Sequence, residues 1–240
     1  LILVSYKHFQ KNSPEGLIDR IFSPLKLALG VDYRNISDIT YQIQSSKTLG
    51  LRDLLDAFLI SFRFYYLYKK ILRSYSKDPN KFYLFFASKI LRSLFREKNA
   101  LKYFQSFNHL PSLVVIGASY TPENMGLVKA LNSLNVKTAD LQHGKQGKYH
   151  GIYRFGPSLN TNSFSTLPNY YLTYDTVASK NILSSSPYRK SHLPICIGDL
   201  PLNFYITIHK KINKTLHRSR PFILYALQPL TVGEIEYIPS

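Results

Sequence analysis

From Ser112 onward the chain switches repeatedly between two periodicities, and that alternation limits the fold more than any other feature of the sequence. Residues 112–120, SLVVIGASY, form a β-branched apolar run that closes on Gly-Ala-Ser. Residues 122–135, PENMGLVKALNSLN, read as a helix, and 136–142, VKTADLQ, return to a strand. A third strand follows at 169–174 (NYYLTY), then a short helix with Asp175 as its cap, then a fourth strand at 193–199 (LPICIGD). Beyond a basic stretch at 209–220, residues 222–229 (FILYALQP) look like one more strand. Short apolar runs separated by helices specify an α/β fold with a parallel sheet flanked by helices. Ligands on such sheets bind beyond the carboxyl ends of the strands. The groups there are Gly117–Tyr120, Gln142–Gly144, Tyr174–Asp175, Gly198–Asp199 and Gln228–Pro229.

The first 110 residues are helix-rich by the same reading. LILVSY is a short candidate strand. A helix is expected from Pro14 to about Leu29, with Ser13 as N-cap, Pro14 in the first turn, a break or kink at Pro24 and Gly30 as its end. Two longer helices are expected over 50–76 and 79–106, separated by Ser-Lys-Asp-Pro-Asn. In the second, Tyr83, Phe86, Ile90, Leu91 and Leu94 recur at helical spacing. The expected division is a helix-rich part at 1–110, a Rossmann-like α/β part at 111–208, and a linker with the first strand of a truncated second domain at 209–240. A start without Met and an end just after a new apolar run suggest an internal piece of a longer protein.

Lys and Arg total 31 against 14 Asp and Glu, a formal net charge of +17. That excess favours anionic partners: nucleic acid, an anionic membrane face, or substrates bearing phosphate or carboxylate. No aromatic-interleaved RNA-binding pattern and no helix-turn-helix spacing occurs, which argues against nucleic acid. The single cysteine, Cys196, excludes an internal disulfide framework and a multi-cysteine zinc site. In the stretch closest to a membrane segment, 54–75, the uninterrupted apolar run falls far short of the roughly 20 residues of a membrane span, and Arg63 interrupts it. It reads as an amphipathic helix. Its basic aromatic face, with Tyr65, Tyr66, Tyr68, Lys69, Lys70 and Arg73, is either solvated or rests on an anionic membrane.

The densest chemistry is DLQHGKQGKYHG, residues 140–151. His143 has the side chain whose ordinary pKa lies nearest neutrality, so it suits a general base or a proton donor to phosphate. Gln142 offers an acceptor and two donors for sugar hydroxyls. Gly144 permits a positive φ or close approach of a ligand. Lys148, Tyr149 and His150 follow in the same loop. Two histidines without an intervening acid or helical spacing argue against a metal site. Ser119 and Gln228 stand at strand ends as further substrate contacts. Glu123, in the first turn of a helix, is either an acid–base group or a carboxylate stabilising the helix dipole. Neither a phosphate-binding loop, a GxGxxG fingerprint nor a GxSxG elbow occurs.

Three ordered pieces carry a family resemblance. Leu141-Gln142-His143-Gly144 is followed by Tyr149-His150 and Tyr153; LPNYYLTYDTVASKNIL (167–183) comes next, and RPFILYALQPL (220–230) last. Together, over roughly residues 110–230, they resemble bacterial surface-polysaccharide glycosyltransferases of the two-domain GT-B type. Asp140 stands where that family pattern has Glu, and Asp175 where Gly is commoner. The resemblance implies the N-terminal, acceptor-side half of a GT-B architecture. It implies sugar transfer from a nucleotide-sugar donor to a capsule, lipopolysaccharide or lipid-linked acceptor, without a metal or other cofactor, on the cytoplasmic side of the inner membrane. His143 would be catalytic or phosphate-contacting, and Gln142, Gly144, Lys148, Tyr149 and His150 would line the acceptor cleft. A polyol-phosphate transferase, a sugar-nucleotide epimerase and a non-catalytic basic membrane module remain alternatives.

Overall fold

The structure is a computed structural model and describes residues 2–4, 10–13, 16–19, 22–29, 34–35, 50–75, 79–144, 164–185 and 192–212. The strands are β1 (Ile2–Val4), β2 (Gln10–Ser13), β3 (Gly16–Asp19), β4 (Arg34–Asn35), β5 (Leu113–Gly117), β6 (Lys137–Leu141), β7 (Tyr170–Thr173) and β8 (Leu193–Cys196). The helices, numbered here in chain order, are α1 (Phe22–Leu29), α2 (Leu51–Tyr75), α3 (Pro79–Gln105), α4 (Pro122–Ser133), α5 (Thr176–Ser185) and α6 (Leu200–Ile212). Six strands form one sheet in the order β4-β1-β5-β6-β7-β8, and every neighbouring pair is parallel. The protein is therefore α/β, with a parallel sheet flanked by helices. The chain divides into two units, Leu1–Tyr205 and Ile206–Ser240; of the second, only residues 206–212 at the end of α6 are described.

Strands covered on both faces need apolar residues at successive positions, and β5 supplies them. Val114 and Ile116 pack with Ala100 and Phe104 of α3 and with Leu127, Val128 and Leu131 of α4. Val115 turns to the other face, where it meets Ala139, Leu141 and the α1 residues Phe22 and Leu25. Thr121 caps α4, its hydroxyl accepting from the Asn124 N–H, and Pro122 occupies the first turn, where no helical N–H is needed. α4 ends as Asn135 takes a left-handed conformation, φ 59°, one of the few residue types that tolerates it.

Helices α3 and α4 lie side by side in the same direction. Arg92 meets Glu123 at 3.4 Å and Glu97 meets Lys129 at 2.9 Å. Between these ion pairs sits Gly126, where an added Cβ would come within 2.0 Å of the Ser93 carbonyl oxygen. The backbones meet here because no side chain separates them.

Several expectations change. Residues 10–13 and 16–19 are strands and not part of a helix: Gln10–Ser13 pairs antiparallel with Gly16–Asp19, Ser13 opposite Gly16. A Ser-Pro-Glu sequence signals a chain reversal as readily as a helix start, and the pairing satisfies the backbone groups that a helix would have satisfied. Pro24 lies in the first turn of α1 and breaks nothing. The helix-rich first part also contributes β1 and β4 to the sheet. The basic stretch expected to begin a linker at 209 is helical through Ile212. Helices α2 and α3 match the expected 50–76 and 79–106 to within a residue. The strand expected over 222–229 lies outside the described residues.

Candidate functional site

The strand order gives the sheet a reversal point. From β1 the chain moves to β4 on one side and then to β5 on the other. Crevices at such a switch point, at the carboxyl ends of the strands, are where open α/β sheets bind ligands. Ala118-Ser119-Tyr120 leaves β5 at this edge. The register pairs Gly117 with Leu141 and Leu141 with Leu172, so the segments beginning at 118, 142 and 173 emerge side by side.

His143 is partly buried. Its Nε2 lies 3.0 Å from the Tyr120 hydroxyl, and the two rings stack at 5.7 Å between centroids with 27° between planes. Burial, and secondarily the charge of Asp140, push the Tyr120 phenol above its ordinary pKa of 10.0. At neutral pH Tyr120 is therefore an intact hydroxyl. It can donate to Nε2, which keeps the imidazole proton on Nδ1, and accept a proton from a second group at the same oxygen.

Behind this pair, Asp140 is 1% exposed. Its carboxylate accepts from the Ser119 hydroxyl at 2.9 Å and from the Ser119 N–H at 3.3 Å. Ser119, expected as a substrate contact, is 4% exposed and directs both groups at Asp140. Ala118 makes the turn in a left-handed conformation, φ 58°, which strains a residue with a Cβ. The Asn124 amide secures the turn by donating to the Gly117 and Ala118 carbonyls at 2.9 and 3.1 Å.

Gln142 is also buried. Its Oε1 accepts from the Tyr174 N–H and its Nε2 donates to the Gly144 carbonyl, both at 2.7 Å. The side chain ties the His143 loop to the end of β7. At Gly144 an added Cβ would meet no atom of the described residues within 4 Å, so packing among them does not require glycine here. Farther along the edge, Tyr174 is held strongly protonated by burial and then by the Asp199 charge. Asp175 caps α5 by accepting from the Ala178 N–H at 2.6 Å, and Asp199 caps α6 through the Leu202 N–H at 3.0 Å. Gly198 takes a left-handed turn between β8 and Asp199, φ 83°.

Glu123 directs its carboxylate to Arg92 of α3, the partner of a first-turn acid on a packed helix. Lys148, Tyr149, His150 and Gln228 lie outside the described residues. Among the described residues no group of three His, Cys, Asp or Glu side chains could hold a metal ion, and no helix is long and apolar enough to cross a membrane.

A cavity of about 410 Å³ opens at the other end of the sheet, lined by Glu97, Lys129, Lys137, Asn169 and His192 among others. Its polar groups already serve the fold. Asn169 and Thr138 exchange backbone and side-chain hydrogen bonds. His192 bridges the Pro168 carbonyl through Nδ1 at 2.5 Å and the Phe164 N–H through Nε2 at 3.3 Å. Lying at the amino ends of the strands, this cavity is a weaker candidate than the Tyr120–His143 edge.

Sequence reasoning set Tyr120, His143 and Tyr174 at the same sheet edge but did not pair them. Parallel register brings Tyr120 and Tyr174 beside the His143 loop from more than 20 positions away, whereas Asp140 lies three residues before His143 at the end of β6. The class defined by fold and edge is an α/β protein with a buried polar shell supporting a Tyr–His pair at the carboxyl end of a parallel sheet. No family model, no curated protein and no solved structure matches the chain.

Proposed function

We propose that this chain is the acceptor-side part of a sugar-transferring enzyme of the two-domain GT-B type, which moves a sugar from a nucleotide-sugar donor to a surface-polysaccharide or lipid-linked acceptor. The observation that carries the reading is the Tyr120–His143 hydrogen bond at the carboxyl edge of a parallel sheet, in the segment whose Leu-Gln-His-Gly resembles that family.

The pair supplies what glycosyl transfer asks of the acceptor side. An acceptor hydroxyl donates to the Tyr120 oxygen while the tyrosine proton is shared with His143 Nε2. As the acceptor oxygen bonds to the anomeric carbon, its proton passes to Tyr120 and the tyrosine proton passes to Nε2. The bond from that carbon to the donor diphosphate breaks, and the diphosphate leaves with the electron pair. The imidazolium formed at His143 then returns its proton to solvent. Ser119, Asp140 and Gln142 hold the geometry from behind.

The test offers the complete protein a panel of labelled nucleotide sugars with membrane-derived acceptors. His143→Ala should lower transfer by about 10²-fold or more, and Tyr120→Phe by a smaller factor, with melting curves retained. Wild-type transfer by His143→Ala would overturn the role of His143. Transfer of a glycerophosphate unit in place of a sugar would move the chain to polyol-phosphate chemistry.

A further inference from the structure

The α2–α3 hairpin carries an exposed apolar surface. Along α2, Leu51, Leu55, Phe58, Leu59, Phe62 and Tyr66 recur at three- and four-residue spacing and are all exposed, Leu51 by 74% and Leu59 by 65%. The inner side of the helix is settled against α3. Ala57 and Ser61 are buried, the Tyr83 hydroxyl donates to the Phe58 carbonyl at 3.1 Å, and the Tyr83 ring meets those of Phe58 and Tyr65. α3 extends the outer surface with exposed Leu84 and Phe85, and Lys89 sits 5.1 Å over the Phe85 ring.

Charge borders the stripe on one side. On a helical wheel Arg52 and Arg63, both exposed, fall together at its margin, with exposed Asp56 beside them. The sequence of α2 carries five basic residues against two acidic ones. An apolar stripe with aromatic members and a basic margin, on a helix unable to span a bilayer, has the form of a helix that lies in the membrane interface. A second copy of the chain fits this surface less well. Two such faces would bring basic margins together on a chain already at +17, whereas anionic headgroups would neutralise them.

We propose that the outer face of the α2–α3 hairpin docks on an anionic lipid bilayer, with the apolar stripe in the headgroup–acyl boundary and Arg52, Arg63 and Lys89 among the phosphates. This stands independently of the chemistry proposed for His143.

The chain has no tryptophan, so Leu59→Trp introduces a unique fluorescent reporter. With vesicles of phosphatidylcholine containing about 30% phosphatidylglycerol, its emission should shift to the blue and be quenched by brominated acyl chains. Vesicles of phosphatidylcholine alone should bind the protein weakly, and added salt should release it from the anionic ones. In vesicle flotation, Leu55→Asp with Leu59→Asp should weaken binding at least about tenfold. Arg52→Gln with Arg63→Gln should weaken it by roughly fivefold per arginine. The proposal is overturned if the new indole stays unshifted and unquenched on anionic vesicles. It is also overturned if the Leu55/Leu59 pair abolishes a concentration-dependent dimer in light scattering while vesicles leave the protein unbound.

Discussion

Replacing Gly126 by alanine tests the packing of the whole α4 face, because two physical effects there have opposite signs. Alanine is the better helix former by about 1 kcal/mol, so propensity alone predicts stabilisation. The structure predicts the reverse. The added Cβ would stand 2.0 Å from the Ser93 carbonyl oxygen and 3.0 Å from the Glu97 nitrogen. Ordinary contact begins near 3.4 Å, so the helices must part by about 1.4 Å. No rotamer relieves the clash, since the obstructing atoms are backbone. Parting also stretches the Arg92–Glu123 and Glu97–Lys129 pairs; both are partly exposed and add at most about 1 kcal/mol each. Overpacking of this kind costs typically about 1–3 kcal/mol, and a backbone clash belongs at the upper end. Set against the propensity gain, the net expectation is destabilisation by about 2 kcal/mol. For a chain of this size that lowers Tm by roughly 4–8 °C. Urea titration should show a lower midpoint at unchanged m. An alanine variant as stable as wild type, or more stable, would refute the close approach of α3 and α4.

Two other perturbations follow from the site and its far side. His192 is held neutral by burial, which lowers its pKa and outweighs the Pro168 hydrogen bond that raises it. The unfolded chain then takes up the proton first as pH falls. The contribution is complete above about pH 6.5 and is lost as pH drops below that toward the folded value; urea midpoints between about pH 8 and 5 should fall less in His192→Gln than in wild type. Ala118→Gly relieves a left-handed alanine, a gain of about 1–2 kcal/mol reduced by glycine's unfolded-state entropy of roughly 0.5–1 kcal/mol. A small rise in Tm is expected in thermal melts, and a fall would contradict the turn.

Much of the fold could be read along the chain, for reasons visible in particular residues. LVVIG is apolar from Leu113 to Ile116, as a strand covered on both faces must be, and β-branched at Val114, Val115 and Ile116, and Pro122 and Asp175 mark where helices start. β4 offered no such sign. Arg34–Asn35 has no apolar pattern and is a strand only because its backbone pairs with Ile2 and Leu3. The β2–β3 hairpin was hidden behind a Ser-Pro-Glu that serves helix starts and reversals equally. The site divides similarly. His143 was legible from its residue type and its place after a strand. Tyr120 was legible as a residue of the same edge, but its pairing with His143 was not, because it arrives from another strand end. Nor could the sequence say that Ser119 and Gln142 turn inward: a polar residue announces that it needs partners, and only the packed sheet supplies them.

The two-ended grip of Gln142 restricts how a sequence like this one can vary. An amide has an accepting oxygen at one corner and donating protons at the other, and here both are used, toward Tyr174 and Gly144. Glutamate has the same outline, but its carboxylate would present an oxygen to the Gly144 carbonyl, and histidine would sit on a loop pushed away from its strand. Drift at position 142 is thus barred toward its nearest chemical neighbour, although the residue need touch no substrate. A glutamine retained next to a histidine across divergent chains would then record how the loop is fastened, and should not by itself be read as a mark of catalysis.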